Sequence, residues 1–157
     1  MSALVWAGPF RISELLARCM EEDQPWPPAG SGVYLVSRYA WTGSPGSECE
    51  PLYVGSNTGE SQRFCTRIGD LIADLHGFYD GGTGHHSGGQ KLWRWCRDNK
   101  VYPGALYLSW GTSKDWCDRC AEVTLANQLV RSWAERAPLL NGNRPPACRA
   151  HGCYVGD

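Results

Sequence analysis

Three short segments of the chain have the composition and alternation of β-strands. They are residues 32–39 (GVYLVSRY), 51–56 (PLYVGS) and 105–110 (ALYLSW). Successive side chains of a strand point to opposite faces of the sheet. Tyr34 therefore points away from the face of the residues directly before and after it, and Tyr53 points away from the face of Leu52 and Val54. If the first two strands pair, both tyrosines can project from the same side of the sheet, at about 5 Å if opposite and about 7–8 Å if diagonal.

Four other segments have the apolar spacing of helices. They are residues 14–22, 63–75, 90–99 and 121–130. Ser13 is the predicted N-cap of the first helix. The second has an apolar face, and its opposite face carries Arg63, Arg67, Asp70 and Asp74. The pattern predicts a mixed α/β protein, more narrowly of the α+β class, in which helices flank a small three-stranded antiparallel sheet.

The last predicted helix carries a carboxylate within its apolar stripe. Leu125, Ala126, Leu129 and Trp133 form the stripe, and Glu122 lies near its middle. A buried charge without a partner costs several kcal/mol, so such a group is normally neutralised, paired or bound to a metal ion. The position of Glu122 therefore calls for a partner from another part of the chain.

The composition is that of a globular chain, with 157 residues, 42% hydrophobic residues and 20% charged residues. One domain is expected, with an N-terminal helix and linker (1–30), a catalytic core (31–142) and a cysteine-rich tail (143–157). The net charge of −1 favours no class of partner. No apolar run approaches the roughly 18 residues of a membrane span, and a signal peptide is not recognisable, so we expect a cytoplasmic protein without membrane contact.

Two tripeptides on the predicted strands carry a family resemblance. Gly32-Val33-Tyr34 and Tyr53-Val54-Gly55 resemble the paired motif of the GIY-YIG nucleases, with valine in place of isoleucine in both. An arginine on the next helix (RIGDL), a glutamate on a later helix (AEVTLANQL) and Pro138-Leu-Leu-Asn141 follow in the order of that family. Agreement among several elements is more specific than either tripeptide alone. The chain departs from the family in three places: its longer loop between the tripeptides, Ser56, where many members have lysine, and the extended stretch from Gly55 to Arg67.

The resemblance implies a three-stranded antiparallel sheet flanked by helices and hydrolysis of a phosphodiester bond with one divalent ion. Glu122 would hold Mg²⁺ or Mn²⁺, and Arg67 would bind the non-bridging phosphate oxygens. Tyr34 would act as general base on the attacking water, assisted by Tyr53, and Asn141 would orient Glu122 or the phosphate. A phenol has a pKa of about 10, which the metal ion and Arg67 are expected to lower.

Each of these positions also has a structural alternative. Tyrosines on strands commonly pack in the core, Asn141 can serve a turn, and Glu122 can form a buried ion pair with an arginine. The arginine itself is open between Arg67 and Arg63, which lie on one helix face. Arg67 is preferred because Ile68 follows it and begins the apolar face.

A glycine-rich loop, residues 77–89 (GFYDGGTGHHSGG), carries two histidines. A solvated surface loop is one interpretation, and a lid that brings a histidine to the phosphate or leaving group is the other. His86 is the candidate catalytic histidine because it lies nearer the following helix. That helix interleaves Trp93 and Trp95 with basic residues, which suits stacking on an unpaired base, although packing of at least one tryptophan in the core is the alternative.

Eight cysteines in a chain without a signal peptide do not indicate a disulfide framework. Cys117, Cys120, Cys148 and Cys153, with His151 as an alternative ligand, are sufficient for a tetrahedral structural Zn²⁺ site. The alternative is a set of unligated buried thiols.

The sequence thus predicts a metal-dependent endonuclease that acts on nucleic acid, with DNA preferred over RNA on family grounds. Two alternatives come from other classes of protein. One is a nucleic-acid-binding module that keeps the fold without cleaving, and the other is a zinc-stabilised interaction domain in which the tyrosines and Glu122 are structural.

Overall fold

The computed structural model describes residues 4–57, 63–78, 86–112, 118–130 and 138–142, together with residues 133, 135 and 145. These residues form four strands and four α-helices. In chain order they are β1 (Val5–Arg11), α1 (Ile12–Ala17), β2 (Gly32–Ser37), β3 (Pro51–Asn57), α2 (Phe64–Leu75), α3 (Ser87–Asn99), β4 (Tyr107–Thr112) and α4 (Asp118–Leu129). In this part of the chain, no helix has the length and apolar character needed to cross a membrane.

The strands form one antiparallel sheet in the order β1-β4-β2-β3. The α+β class and the three predicted strands are confirmed, but the prediction of a three-stranded sheet is wrong, because β1 adds a fourth strand. Gly8 and Pro9 interrupt the alternation of β1, and the β1–β4 register shifts between Ala7 and Phe10. Because β1 lies at the edge of the sheet, a proline there removes no ladder hydrogen bond from a central strand.

The first helix begins two residues earlier than predicted and is shorter. Arg11 is its N-cap without a side-chain hydrogen bond, so the prediction of a Ser13 cap is wrong. The chain passes directly from β1 into α1, and the Ile12 N–H donates to the Leu106 carbonyl at 2.9 Å. That main-chain acceptor satisfies one of the first N–H groups of α1, which have no partner within the helix.

Two hydrophobic clusters cover the two faces of the sheet. On one face, Tyr34, Val36 and Leu108 pack with apolar residues of α1, α2 and α3. On the other face, Val33, Leu35 and Val54 pack with α4 and with Trp41, Cys49 and Leu139. The site residues described below therefore come from three layers, which are the sheet and the helices on each of its two faces.

A bulge changes the orientation of one predicted strand residue. Val36 pairs with Tyr53 and Ser37 pairs with Pro51, which leaves Leu52 between the two pairs. Leu52 packs in the cluster of Tyr34, whereas Val54 packs in the opposite cluster. The prediction that Leu52 and Val54 share a face is therefore wrong, because the extra residue of a bulge shifts the alternation by one position.

Candidate active site

The two motif tyrosines project from the same side of β2 and β3, as predicted. Tyr34 pairs with Gly55 and Tyr53 pairs with Val36, so the two tyrosines are diagonal neighbours in the register. Their ring centroids are 6.2 Å apart with an interplanar angle of 21°. Tyr34 is 2% exposed and Tyr53 is half-buried, so one ring is sealed in the core and the other reaches toward solvent.

Two glycines make room for these rings. A Cβ on Gly55 would overlap the hydroxyl and ring of Tyr34, and a Cβ on Gly88 would overlap the ring of Tyr53. The glycine of Tyr-Val-Gly is therefore required by close approach of a ring to the backbone. Gly88 has the same function at the start of α3.

His86 forms a hydrogen bond with the Tyr34 hydroxyl. The Tyr34 Oη and His86 Nε2 are 2.7 Å apart, and the His86 Nδ1 accepts a hydrogen bond from the Gly89 main-chain N–H at 3.1 Å. Burial, and secondarily the nearby Arg67, lower the pKa of His86 to about 3, so the imidazole is neutral at pH 7. Since Nδ1 is an acceptor, the single ring proton is assigned to Nε2, and His86 donates to the Tyr34 oxygen.

The surroundings of His86 differ from those of a solvated loop or a moving lid. Its side chain is fully buried, and it forms the N-cap of α3 through the bond to Gly89. Its main-chain N–H donates to Asp74 Oδ2 at 2.7 Å. The neighbouring loop residues 79–85 lie outside the described residues. His86 thus reaches the tyrosines as a fixed group, because the first turn of α3 needs an acceptor that the imidazole supplies.

Asp74 is a residue of this site that the sequence did not reveal. It was predicted on the polar face of its helix, but it is fully buried and accepts from the His86 main chain and from Gln90 Nε2, at 3.5 Å. Because α3 packs across that face of α2, the helical period of α2 alone assigns Asp74 to solvent incorrectly. Asp74 fixes the main chain of His86 beside Tyr34.

The lowered pKa of His86 predicts that the free energy of unfolding depends on pH. Unfolded histidine takes up a proton near pH 6.5, whereas the folded protein holds the pKa at about 3. Between these values the unfolded state binds more protons. The stabilising contribution is therefore complete above about pH 6.5 and is lost toward about pH 3, by up to ~1.4 kcal/mol per pH unit.

Urea unfolding of the wild type and His86→Gln at pH 7, 6, 5 and 4.5 measures this effect. We expect a smaller dependence of the free energy of unfolding on pH in the variant. His76→Gln, at the half-buried C-cap of α2, is the control and should keep the wild-type dependence. Equal dependences in His86→Gln and the wild type would contradict the assignment of a neutral, buried imidazole.

Glu122 faces the sheet from α4, as the sequence predicted. It is half-buried, while Ala121, Val123 and Leu125 around it are buried. Its Oε2 accepts a hydrogen bond from Ser56 Oγ at 2.5 Å. The sequence identifies Ser56 only as a departure from the family pattern and does not predict its contact with Glu122.

Arg67 and Glu122 change the pKa values of the two phenols in opposite directions. Burial is the largest effect and raises the pKa of both Tyr34 and Tyr53; Glu122 raises these pKa values further, and Arg67 lowers them. The expectation of a lowered tyrosine pKa is therefore not met in the protein alone, because burial outweighs the arginine. The opposing influences also mean that Arg67, Glu122, Tyr34 and Tyr53 share one electrostatic neighbourhood.

The two candidate arginines have different surroundings. Arg67 lies on α2, is half-buried and affects the pKa values of Tyr34, Tyr53 and His86. Arg63 is the exposed N-cap residue of the same helix. The geometry favours Arg67, which is also the residue preferred from the sequence.

Asn141 forms two hydrogen bonds with the main chain of the β3 edge strand. Its Oδ1 accepts from the Val54 N–H at 3.1 Å, and its Nδ2 donates to the Val54 carbonyl at 2.9 Å. The buried amide thus mimics one residue of a neighbouring strand, and the Leu140 N–H bond to the Leu52 carbonyl, at 2.6 Å, adds to it. These bonds give Asn141 a place next to the Tyr53 strand; its predicted action on Glu122 or the phosphate stays a prediction.

The predicted zinc ligands fall almost entirely outside the described residues. Cys117, Cys148, His151 and Cys153 are among the residues that are not described, and Cys120 lies half-buried on α4. Within the described ranges, no group of three or more His, Cys, Asp or Glu side chains is arranged to hold a metal ion. The zinc site therefore stays a prediction.

Comparison of the chain with protein-family models, curated proteins and solved structures found no match.

Proposed function

We propose that this protein is a metal-dependent endonuclease that hydrolyses phosphodiester bonds in nucleic acid, with DNA favoured over RNA on the ground of the family resemblance alone. The observation that carries the proposal is the grouping of Tyr34, Tyr53 and His86 within the field of Arg67 and Glu122. These residues come from β2, β3, α2, α3 and α4. A structural role explains each residue taken alone. It does not explain why the Arg67 guanidinium and the Glu122 carboxylate, which come from different layers, both change the pKa values of the same two phenols.

Tyr34 is proposed as the general base. As the water oxygen attacks phosphorus, the Tyr34 oxygen accepts the water proton while the bond from phosphorus to the leaving oxygen breaks. Before this step the phenol must release its own proton to bulk water, and its burial opposes that loss. The His86 Nε2–H and the charge of Arg67 both favour the phenolate, which makes His86 a fixed donor in this scheme.

Arg67 and Glu122 would manage the charge of the phosphate. The guanidinium presents a planar fork of donors that matches two non-bridging oxygens, on which negative charge grows in the transition state. Glu122, held by Ser56, would provide the protein ligand for Mg²⁺ or Mn²⁺. A single carboxylate suits Mg²⁺, which keeps several of its waters, and such an ion polarises the phosphate and stabilises the leaving oxygen.

Tyr53 and Asn141 have supporting roles in the proposal. The half-buried Tyr53 ring stacks beside Tyr34 and lies at the more accessible side of the pair, where it can position the attacking water. Asn141 keeps β3 in register through Val54, next to Tyr53. The supporting roles therefore concern the position of β3 relative to α3 and α4.

The proposal is tested with purified protein and labelled duplex DNA, single-stranded DNA and RNA, with Mg²⁺, Mn²⁺ or a chelator. Cleavage of at least one substrate that needs the divalent ion is expected. Absence of cleavage with every substrate and ion would refute the enzyme, and binding without cleavage would favour the inactive binding module.

Arginine substitutions give a prediction within this proposal. Arg67→Ala is expected to lower the cleavage rate about 100- to 1,000-fold, since it removes a donor aimed at developing charge. Arg63→Ala is the matched control on the exposed N-cap and is expected to change the rate less than about threefold. Single-turnover rates at saturating Mg²⁺ measure both, and a larger loss at Arg63 would reverse the assignment.

A further inference from the structure

The end of α3 and the turn that follows it form an aromatic and basic surface on the outside of the protein. We define this α3 surface as Phe78, Trp93, Arg97, Lys100 and Tyr102. Apart from Phe78, these residues line an open pocket of about 280 Å³, to which Cys96, Val101 and Pro103 also contribute. The pocket lies at the opposite end of α3 from His86 and takes no part in the proposed chemistry.

Two of the three rings of this surface are unusually accessible. Phe78 is 77% exposed and Tyr102 is 67% exposed, the highest values among the aromatic side chains of the described residues. Trp93 packs against Gly77, the residue before Phe78, and the guanidinium carbon of Arg97 lies 4.8 Å from the centre of the Trp93 ring. Large apolar rings gathered around a pocket mark a binding surface more often than a random part of the exterior.

Positive charge accompanies the rings. Arg97 and Lys100 are the basic residues that line the pocket, and Arg97 Nε forms an exposed ion pair with Asp98 Oδ1 at 3.4 Å. Lys91 and Arg94 add two more basic residues to α3. The whole chain has a net charge of −1, so this helix is a local basic region. A polyanion is therefore the complementary partner.

The two tryptophans of α3 have different surroundings. Trp95 packs against the hydrophobic cluster beneath the sheet, and the Arg38 guanidinium lies 5.7 Å from its ring centre. Trp93 lines the pocket with Arg97 and Tyr102. Core packing accounts for Trp95, whereas Trp93 is half-buried and lines the pocket.

We propose that the α3 surface binds unpaired nucleotides, and that the substrate is a nucleic acid with a single-stranded segment next to the cleavage position. An unpaired base can stack on an aromatic ring, whereas a paired base is shielded by its neighbours in the duplex. Arg97 and Lys100 would contact the flanking phosphates. The relation to the cleavage position rests on the proposed nuclease function; the binding of unpaired nucleotides does not.

The length of α3 sets the distance that this segment must span. The helix has 13 residues from Ser87 to Asn99 and is therefore about 20 Å long at about 1.5 Å per residue. It begins beside His86 and ends beside the pocket. The single-stranded segment must therefore reach about 20 Å from the pocket to the cleavage position.

The test is a binding measurement with the full chain carrying Glu122→Gln, so that cleavage does not interfere. Fluorescence anisotropy is recorded with a labelled 12-nucleotide single strand and with the duplex of the same sequence. Adding Trp93→Ala or Tyr102→Ala is expected to weaken single-strand binding about 5- to 150-fold, the effect of losing one stacked base. Duplex binding should change less than about twofold.

Tyr39→Ala is the matched control. The Tyr39 ring is 51% exposed and has an arginine, Arg38, 5.4 Å from its centre, but it lies outside the α3 surface. It should leave single-strand binding unchanged. Trp93→Phe keeps a ring in the pocket and should remain within about fivefold of the parent, and Tyr102→Ala, at an exposed position, carries the test if Trp93→Ala does not fold.

Single-strand affinities of Trp93→Ala and Tyr102→Ala within twofold of the parent would overturn the inference, and so would equal losses for single strand and duplex. Failure of the parent to bind single strands would also overturn it. None of these results bears on cleavage, which the wild-type nuclease assay measures separately, so the inference and the proposed function can fail independently.

Discussion

Glu122→Gln is expected to lower the rate of metal-dependent cleavage about 1,000-fold or more while the protein stays folded. The glutamine is nearly isosteric, and its amide oxygen can still accept the hydrogen bond from Ser56. It lacks the charge that holds a hard divalent cation, and a loss of about 4 kcal/mol in transition-state stabilisation corresponds to about three orders of magnitude. Single-turnover cleavage at saturating Mg²⁺ measures the effect, and thermal unfolding checks the fold.

Glu48→Gln is the control for Glu122→Gln, because Glu48 is exposed on the loop before β3. Its cleavage rate should equal that of the wild type. Equal rates for Glu122→Gln and the wild type would show that the activity comes from another site or from a contaminant.

Tyr34→Phe is expected to lower the cleavage rate about 100- to 10,000-fold, the usual contribution of a general base. The variant should also change the pH profile. Because burial raises the pKa of Tyr34 above the ordinary value, the wild-type rate should rise with pH from 6 to 9 as the phenolate fraction grows. With phenylalanine, this rise should disappear.

Tyr53→Phe is the matched comparison, since the two rings stack and only Tyr34 bonds to His86. We expect a smaller loss, about tenfold, and a pH profile that still rises. A Tyr34→Phe rate within threefold of the wild type, or an unchanged rise with pH, would remove Tyr34 from the role of base.

The sequence predicted the elements that bear the site because their patterns are local. Strong alternation located β2 and β3, and periodicity located α2 and α4, each within a few residues of the observed ends. The same alternation predicted that Tyr34 and Tyr53 project from one side. The apolar stripe around Glu122 predicted that its carboxylate faces the sheet, as its bond to Ser56 shows.

The features that the sequence missed depend on contacts between distant segments. Strand β1 is recognisable only through its pairing with β4, since Gly8 and Pro9 hide its alternation. Asp74 is buried because α3 crosses α2, and the orientation of Leu52 depends on a bulge opposite Val36. His86 is fixed by the start of α3, which residue spacing within a glycine-rich segment does not reveal.

The proposed function requires one divalent ion beside Glu122, next to the paired tyrosines. Anomalous diffraction from a crystal grown with Mn²⁺ would locate this ion. We expect one strong peak about 2.1 Å from a Glu122 carboxylate oxygen, on the side toward Tyr34 and Tyr53, and its loss in Glu122→Gln. A Glu122 carboxylate without Mn²⁺, closed off by a direct ion pair with an arginine or lysine, would contradict the proposed function.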